Sequence, residues 1–207
     1  MPPVRYVKRK MNNEVLEIAE SDEEEECCDV DFDSKRGKIW FYAPVNKQSV
    51  LKLHKALNVC NSEIDTCALK QDRFIELYIH SDGGCFFSGM AAMEKIKANA
   101  YPVHTLVDGM AASAATFLLM GGKRRYMFST GYILVHSIRT QVGYVTHKEM
   151  GDDMDNTNML QNDLVEFYKK HTSIPSKCLH KLMNSELYLN SLDSKRMKII
   201  DEIISTA

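Results

Sequence analysis

The sequence predicts an α/β fold in which helices pack against a mostly parallel sheet. Short runs rich in β-branched and aromatic residues alternate along the chain with longer runs whose apolar residues recur at helical spacing. Glycine or proline stands at most boundaries between these runs. Because a strand–helix–strand order returns the chain to the same end of a sheet, consecutive strands are expected to run parallel, with helices on the faces of the sheet.

The first strand and the first helix are predicted between residues 38 and 58. Residues 38–42 form a β-rich run that Pro44 ends. Valine and leucine recur at helical spacing in residues 48–58, which predicts a helix. The polar residues 60–72 are predicted to form a loop, and residues 73–80 are predicted to form the second strand.

A glycine turn separates the second strand from the second helix. The turn is Ser81–Gly84, and the helix predicted over 87–99 has methionine and isoleucine on one side. Residues 103–107 are predicted to be the third strand. An apolar helix is predicted from about 112 to 120, where Gly121 and Gly122 stop it.

The last part of the chain is predicted to contain two strands and two helices. A basic turn at 123–125 leads to strands at 126–128 and 132–136. A long helix is predicted over 146–171, and a shorter one is predicted after Pro175.

Charge divides the chain into two parts. Residues 1–35 carry five basic and eleven acidic side chains, so they are predicted to be a disordered acidic extension. The whole chain of 207 residues is 44% hydrophobic and 26% charged, as in ordinary globular proteins. Residues 36–207 are therefore predicted to form a single domain with one core.

Composition and spacing exclude several classes of protein. No apolar stretch approaches the roughly 20 residues of a membrane span, and no signal-peptide segment follows the charged start of the chain. The six scattered cysteines predict reduced thiols rather than a disulfide framework or a zinc site. No metal site, cofactor or nucleic-acid surface is predicted. The expected compartment is the cytoplasm, or a host cytoplasm if the source is viral.

A serine stands among small residues where a strand is predicted to pass into a helix. Ser113 lies in the run Gly109–Ala115, whose small side chains let a substrate backbone come close. The N-terminus of the helix would place free N–H groups beside the Ser113 hydroxyl, which suits a nucleophile. Serine is equally common as a helix N-cap, and this segment alone favours the cap.

The glycine pair after the second strand can form either an anion-binding turn or a plain turn. Gly83 and Gly84 let the backbone turn with N–H groups pointing outward, which suits an oxyanion or a phosphate. The same pair suits a plain turn, and the sequence around it has no phosphate-binding motif.

Three segments taken together resemble the proteolytic subunit of the Clp protease. They are Ile79–Gly84 (IHSDGG), Gly109–Leu119 (GMAASAATFLL) and Ile133–His136 (ILVH), in the order and at the spacing of that family. The resemblance extends from about Gly37 to Ile204. It implies a ClpP/crotonase-like fold of repeated ββα units with a protruding handle helix, and a serine endopeptidase that itself needs no ATP.

The resemblance implies a catalytic triad. Ser113 matches the nucleophile of the family and His136 matches its base. Glu186 stands where the family has an aspartate, so it is the expected orienting carboxylate, with a side chain one methylene longer. The alternatives for this third position are Asn184, Asp193 and Glu166.

The chemistry requires these groups whatever the family. A serine hydroxyl needs a base to accept its proton, and a carboxylate fixes the tautomer of the histidine and stabilises the imidazolium. The resemblance implies an oxyanion hole made by the backbone N–H groups of Gly84 or Gly83 and of Ala114. Asp82 replaces the proline that is usual before these glycines. Among the other six histidines, His80 adjoins the glycine turn and could line the cleft, but surface or packing roles are favoured for all six.

The resemblance also implies an assembly. In relatives, the strand and long helix after the histidine form a handle through which two heptameric rings stack into a tetradecamer, and a ring-shaped AAA+ ATPase delivers unfolded proteins. The stretch that corresponds here is 141–171, whereas the acidic N-terminal extension does not resemble the pore loops of the family. Two other functions stay open: a catalytically silent ring subunit, which the change to Glu186 suggests, and a relative of the acyl-CoA hydratases.

Overall fold

The computed structural model describes residues 29–66, 73–140 and 143–205, and these residues contain an eight-stranded mixed sheet. The strands are β1 Val30–Asp33, β2 Lys38–Phe41, β3 Ile75–Ser81, β4 Val103–Ala112, β5 Arg124–Phe128, β6 Tyr132–Leu134, β7 Tyr188–Asn190 and β8 Glu202–Ile204. The helices are α1 Lys47–Thr66, α2 Phe86–Lys97, α3 Ala115–Gly121, α4 His147–His171, α5 Ser176–Ser185 and α6 Ser191–Arg196.

The centre of the sheet is parallel, as the sequence predicts. The strands β2, β3, β4 and β5 lie side by side and run in the same direction. The strand β4 is long enough to pair with β5 through its first half and with β6 through its end. Two strands run antiparallel to a neighbour, β1 against β2 and β7 against β6. The predicted α/β fold with a mostly parallel sheet is therefore confirmed.

The core lies between the sheet and its helices. In β3 the side chains of Ile75, Leu77 and Ile79 are fully buried, while those between them are partly exposed on the other face. Burying a side chain of this size stabilises the folded state by about 1.5–3 kcal/mol. The alternation along β3 is the pattern that predicted a strand, and it fixes which face carries the core.

Four predicted boundaries are wrong. The strand predicted over 132–136 ends at Leu134, so His136 lies outside it. The helix α1 extends to Thr66, through part of the predicted loop 60–72, because the buried Cys60 and Ile64 continue its apolar face. Residues 67–72 lie outside the described residues. The predicted helix 112–120 begins at Ala115, since Ala111 and Ala112 still pair within the sheet as part of β4. The strand β5 begins at Arg124, inside the predicted basic turn.

The prediction of disorder through residue 35 is wrong at its C-terminal end. The strand β1 pairs with β2 in antiparallel register, from Val30 opposite Phe41 to Asp33 opposite Lys38. Its side chains are mostly exposed, but its backbone groups bond to an existing edge and Val30 is buried. Residues 1–28, which hold the acidic run, lie outside the described residues.

The long helix α4 confirms the helix predicted over 146–171. Its first turn carries a capping box in which Thr146 and Glu149 satisfy each other's backbone N–H groups. Side chains 147–156 are all exposed, whereas Leu164 and Tyr168 near the other end are buried. The first half of α4 thus extends beyond the core, and its last turns pack beside the site described below.

Burial of histidine makes the stability of the fold sensitive to acid. The Nε2 atom of His54 on α1 is buried and unpaired among the described residues. Burial, assisted by the charge of Lys95, lowers the pKa of His54 below 6.5. The unfolded chain therefore binds a proton more readily than the folded one, so stability is greatest above pH 6.5 and falls as the pH drops through the folded-state pKa.

Urea unfolding followed by circular dichroism at pH 7.5 and pH 5.5 checks this prediction. We expect a lower free energy of unfolding at pH 5.5, and a smaller drop in a His54→Leu variant. An unchanged drop in that variant would contradict the role of His54.

Candidate active site

The candidate site lies where three parallel strands end. The strand β4 runs parallel to both β3 and β6, so their carboxyl ends meet at the same edge of the sheet. Ser81 at the end of β3 pairs with Ala111, and Leu134 at the end of β6 pairs with Ala112. This edge is where open α/β sheets commonly bind their ligands.

Ser113 is the first residue after β4 and is held in a rare backbone conformation. Its φ of 52° lies in the left-handed region, which side chains other than glycine seldom adopt. Its N–H donates to the carbonyl of Leu134 at 2.8 Å, and its own carbonyl accepts from the Thr116 hydroxyl at 2.6 Å. These bonds keep Ser113 on a sharp strand-to-helix turn, a conformation that the sequence does not reveal. Strain of this kind is commonly found at functional sites.

The glycine turn packs directly against Ser113. Gly83 and Gly84 have φ values of 91° and 145°. A Cβ on Gly83 would lie 2.7 Å from the Cβ of Ser113 and 2.5 Å from the carbonyl oxygen of Ala112. Val45 bonds to the turn on both sides, donating to the Gly83 carbonyl and accepting from the Cys85 N–H, each at 2.7 Å. The turn is therefore fixed, and it has no room for a side chain.

Two backbone N–H groups beside Ser113 are free. The Gly83 N–H donates to the Ser81 hydroxyl at 3.1 Å, so it is occupied. Among the described residues, the N–H groups of Gly84 and Ala114 have no partner. Of the three N–H groups predicted for an oxyanion hole, these two are available as donors.

His136 lies two residues beyond β6, and a backbone carbonyl orients it. Its Nδ1 is 2.6 Å from the carbonyl oxygen of Ser137. Because a carbonyl only accepts, Nδ1 carries the proton and Nε2 of the neutral ring keeps its lone pair. That tautomer is the one a general base requires. A backbone carbonyl leaves no mark in the sequence, so the sequence could not predict this partner.

Among the described residues, Glu186 forms no hydrogen bond or ion pair with His136. It is the residue after α5, has a φ of 46°, and its carboxylate pairs with Arg139. The alternative acids are also engaged elsewhere, Asp193 with Arg196 and Glu166 with Lys169, and Asn184 is exposed. Among the described residues, the structure brings Ser113 and His136 to one cavity and leaves the predicted third member beside it.

The cavity has a volume of about 350 Å³ and is partly apolar. Its polar side holds Ser113, His136, Gly84, Asp82, Cys85 and Arg139, and its apolar side is formed by Phe86, Phe117, Ile138, Leu164 and Tyr168. The Tyr168 hydroxyl bonds to Thr116 Oγ1 at 2.5 Å, and burial raises the pKa of Tyr168 to about 12, so it stays neutral. The cavity can take a chain with an apolar side chain next to the serine.

Two further residues complete the surroundings of the site. Cys85 follows the glycine turn, and hydrogen bonds from Ser88 lower the pKa of its thiol. Neither Cys85 nor Arg139 was predicted as a cavity residue, since only their position after the turn and after the histidine could have signalled them.

His80 has a packing role instead of lining the cleft, because its ring lies against Tyr42, with centroids 5.4 Å apart, and it is not among the residues that line the cavity.

Neither a metal cluster nor a membrane-spanning helix occurs in the part of the chain that the structure describes. There, no group of three or more histidine, cysteine, aspartate or glutamate side chains is arranged to hold a metal ion. No helix in the same residues has the length and apolar character to cross a bilayer.

Comparisons with known proteins bear on the family. The model of the family described as Clp protease matches residues 25–207. An ATP-dependent Clp protease proteolytic subunit from Deinococcus radiodurans is 26% identical over 172 residues, which cover 80% of this chain and 79% of that relative. Another from Oenothera elata subsp. hookeri is 28% identical over 141 residues, covering 64% of this chain and 55% of the relative.

A solved structure shares the fold. A ClpP1 mutant from Listeria monocytogenes superposes with a TM-score of 0.69 at 17% identity, covering 83% of this chain and 92% of that one. The fold of this chain is thus the ClpP-like fold expected from the sequence. Since the family model matches most of the chain, the protein belongs to the Clp protease family, a family of peptidases.

Proposed function

We propose that this protein is a serine endopeptidase of the Clp proteolytic-subunit type, which hydrolyses peptide bonds in unfolded or delivered proteins. One observation carries the proposal. A strained serine, a histidine whose Nδ1 lies against a carbonyl oxygen, and two N–H groups without a partner among the described residues line a single cavity. This combination is what acyl transfer from a peptide requires.

The steps follow from the groups present. Ser113 Oγ attacks the peptide carbonyl carbon while His136 Nε2 accepts the hydroxyl proton. The N–H groups of Gly84 and Ala114 bind the oxyanion of the tetrahedral intermediate. The imidazolium then protonates the leaving amine, the C–N bond breaks, and an ester to Ser113 remains. Water attacks this ester with His136 again as base, the bond to Ser113 Oγ breaks, and the imidazolium returns the proton to Ser113 Oγ as the carboxylic acid product leaves. The reaction itself therefore uses no ATP.

Glu186 is the proposed third member of the triad. The Ser137 carbonyl fixes the tautomer of His136, but a neutral carbonyl stabilises an imidazolium less than a carboxylate does. Glu186 would have to leave Arg139 in order to reach His136. An exposed ion pair of this kind is worth about 0–1 kcal/mol, so the exchange is a small energetic step.

Labelling by a fluorophosphonate tests the proposal directly. We expect rapid modification of the native protein, with the adduct found by mass spectrometry on Ser113, because only a serine with a base and an oxyanion hole reacts quickly. Protein unfolded in urea is the control and should not react. Modification of other serines at the same rate, or none of Ser113, would contradict the assignment.

A second function follows from the position of Glu186. Its pairing with Arg139 leaves His136 without a carboxylate, as expected of a silent ring subunit whose role is structural. Protein that assembles into rings yet fails to label at Ser113 would favour this function.

The family also suggests how the protein assembles. The proposed assembly is a pair of stacked heptameric rings joined through α4, whose first half carries exposed side chains over 147–156. A ring-shaped AAA+ unfoldase is the proposed source of delivered substrates, and the cytoplasm, of the source or of a host, is the proposed compartment. The protease domain is proposed to begin at about residue 29, where β1 joins the sheet.

A further inference from the structure

An exposed ion pair lies at the edge of the candidate active site. Arg139 lines the cavity that holds Ser113 and His136, and its guanidinium pairs with the carboxylate of Glu186. The two side chains are 65% and 56% exposed. Water and salt compete with such a pair, so it contributes little to stability. Another carboxylate can therefore replace Glu186 at Arg139.

The backbone that carries Arg139 is anchored. Ser137 donates two hydrogen bonds to the carbonyl of Met183, one from its N–H and one from its hydroxyl, each of 3.0 Å. The N–H of Ile138 donates to Gln161 Oε1 at 2.9 Å. Arg139 comes directly after these two anchored residues. The Arg139 side chain is exposed, but the backbone from which it extends is held in place close to His136.

The charges of the cavity make Arg139 a selective group. Among the described residues that line the cavity, Arg139 is the permanent cation and Asp82 is the carboxylate. A peptide backbone is neutral, so a substrate can engage the guanidinium strongly only if it brings a negative group. The planar guanidinium binds both oxygens of a carboxylate at once, which gives strength and direction.

We propose that Arg139 selects peptides that carry a carboxylate near the bond to be cleaved, by exchanging Glu186 for the carboxylate of the peptide. This inference deepens the serine-peptidase proposal and rests on it. The carboxylate comes either from an acidic side chain or from the carboxyl terminus of the peptide. Both sources present the same two oxygens to Arg139, and the experiment separates them.

Peptide binding to a Ser113→Ala protein tests the inference, because cleavage then does not consume the peptide. Fluorescent peptides differ only in Glu against Gln at one position at a time, or in a free against an amidated carboxyl terminus, and anisotropy gives each Kd. A charge-assisted pair predicts about tenfold tighter binding of the matching acidic peptide. Adding Glu186→Gln removes the internal competitor and should tighten that binding further.

Variants of arginine supply the controls. In the same background, Arg139→Gln should abolish the preference for the acidic peptide. Arg196→Gln should retain it, because Arg196 pairs with Asp193 and does not line the cavity. Equal affinities for the Glu and Gln peptides, no binding of either, or a preference that survives Arg139→Gln would overturn the inference. If the Ser113→Ala protein binds the acidic peptide selectively but the native protein fails to label at Ser113, only the peptidase proposal is refuted.

Discussion

Replacing Ser113 with alanine is expected to lower the rate of peptide cleavage by about a thousandfold or more. The variant lacks the oxygen that forms the ester, and members of a nucleophile–base pair act as a unit. His136→Ala should cost about as much, since without a base the serine keeps its proton, and the double variant should be little worse than either single one. Cleavage of a fluorogenic peptide, measured as kcat/KM, gives all three values.

Loss of the Ser113 hydroxyl should not change the stability of the fold. Among the described residues this hydroxyl has no hydrogen-bond partner. Ser113→Ala should therefore unfold at the same urea concentration as the native protein. Ser62→Ala is a control for activity, because it removes an exposed hydroxyl from α1, outside the cavity; that hydroxyl donates to the Asn58 carbonyl at 3.1 Å. If Ser113→Ala cleaved the peptide with the same kcat/KM as the native protein, another group or a contaminant would be responsible for the cleavage.

Local patterns predicted the parts of the fold whose burial alternates along the chain. The strand β3 buries every second side chain, and α1 buries one face, so both have a periodicity that can be read directly. The end of β4 is different, because its small residues resemble the start of a helix. They form a strand because Ala111 and Ala112 find partners in β3 and β6, which are distant in sequence. The acidic β1 is likewise formed by pairing rather than by composition.

The candidate site also has a part that local sequence patterns predict and a part that they do not. Ser113, His136 and the glycine turn lie in motifs, so the sequence was sufficient to propose them together. The hydrogen-bond or ion-pair partner of each polar group depends on which other groups lie near it in the folded chain. Glu186 has Arg139 within reach, and His136 has the carbonyl of the next residue, and neither contact follows from spacing. The occupied N–H of Gly83 is a further case, because it depends on where the Ser81 hydroxyl points.

Gly83→Ala is expected to lower kcat/KM by about a hundredfold to a thousandfold without removing any catalytic side chain. The φ of 91° is costly for alanine, and the new Cβ would lie 2.5 Å from the Ala112 carbonyl oxygen and 2.9 Å from the Ala114 nitrogen. These are backbone atoms, so the glycine turn itself must shift away from Ser113. The shift carries the Gly84 N–H out of range of the oxyanion, and losing one such donor typically costs this much.

Asn58→Ala separates this effect from that of an ordinary substitution. Asn58 is exposed on α1 and does not line the cavity, so alanine should keep activity and stabilise the helix by roughly 0.5 kcal/mol. Fluorophosphonate labelling should slow in Gly83→Ala as much as cleavage does, because both reactions pass through an oxyanion or its phosphorus analogue. If labelling kept its native rate while cleavage fell, the loss would lie in peptide binding, and Gly84 would not be the donor.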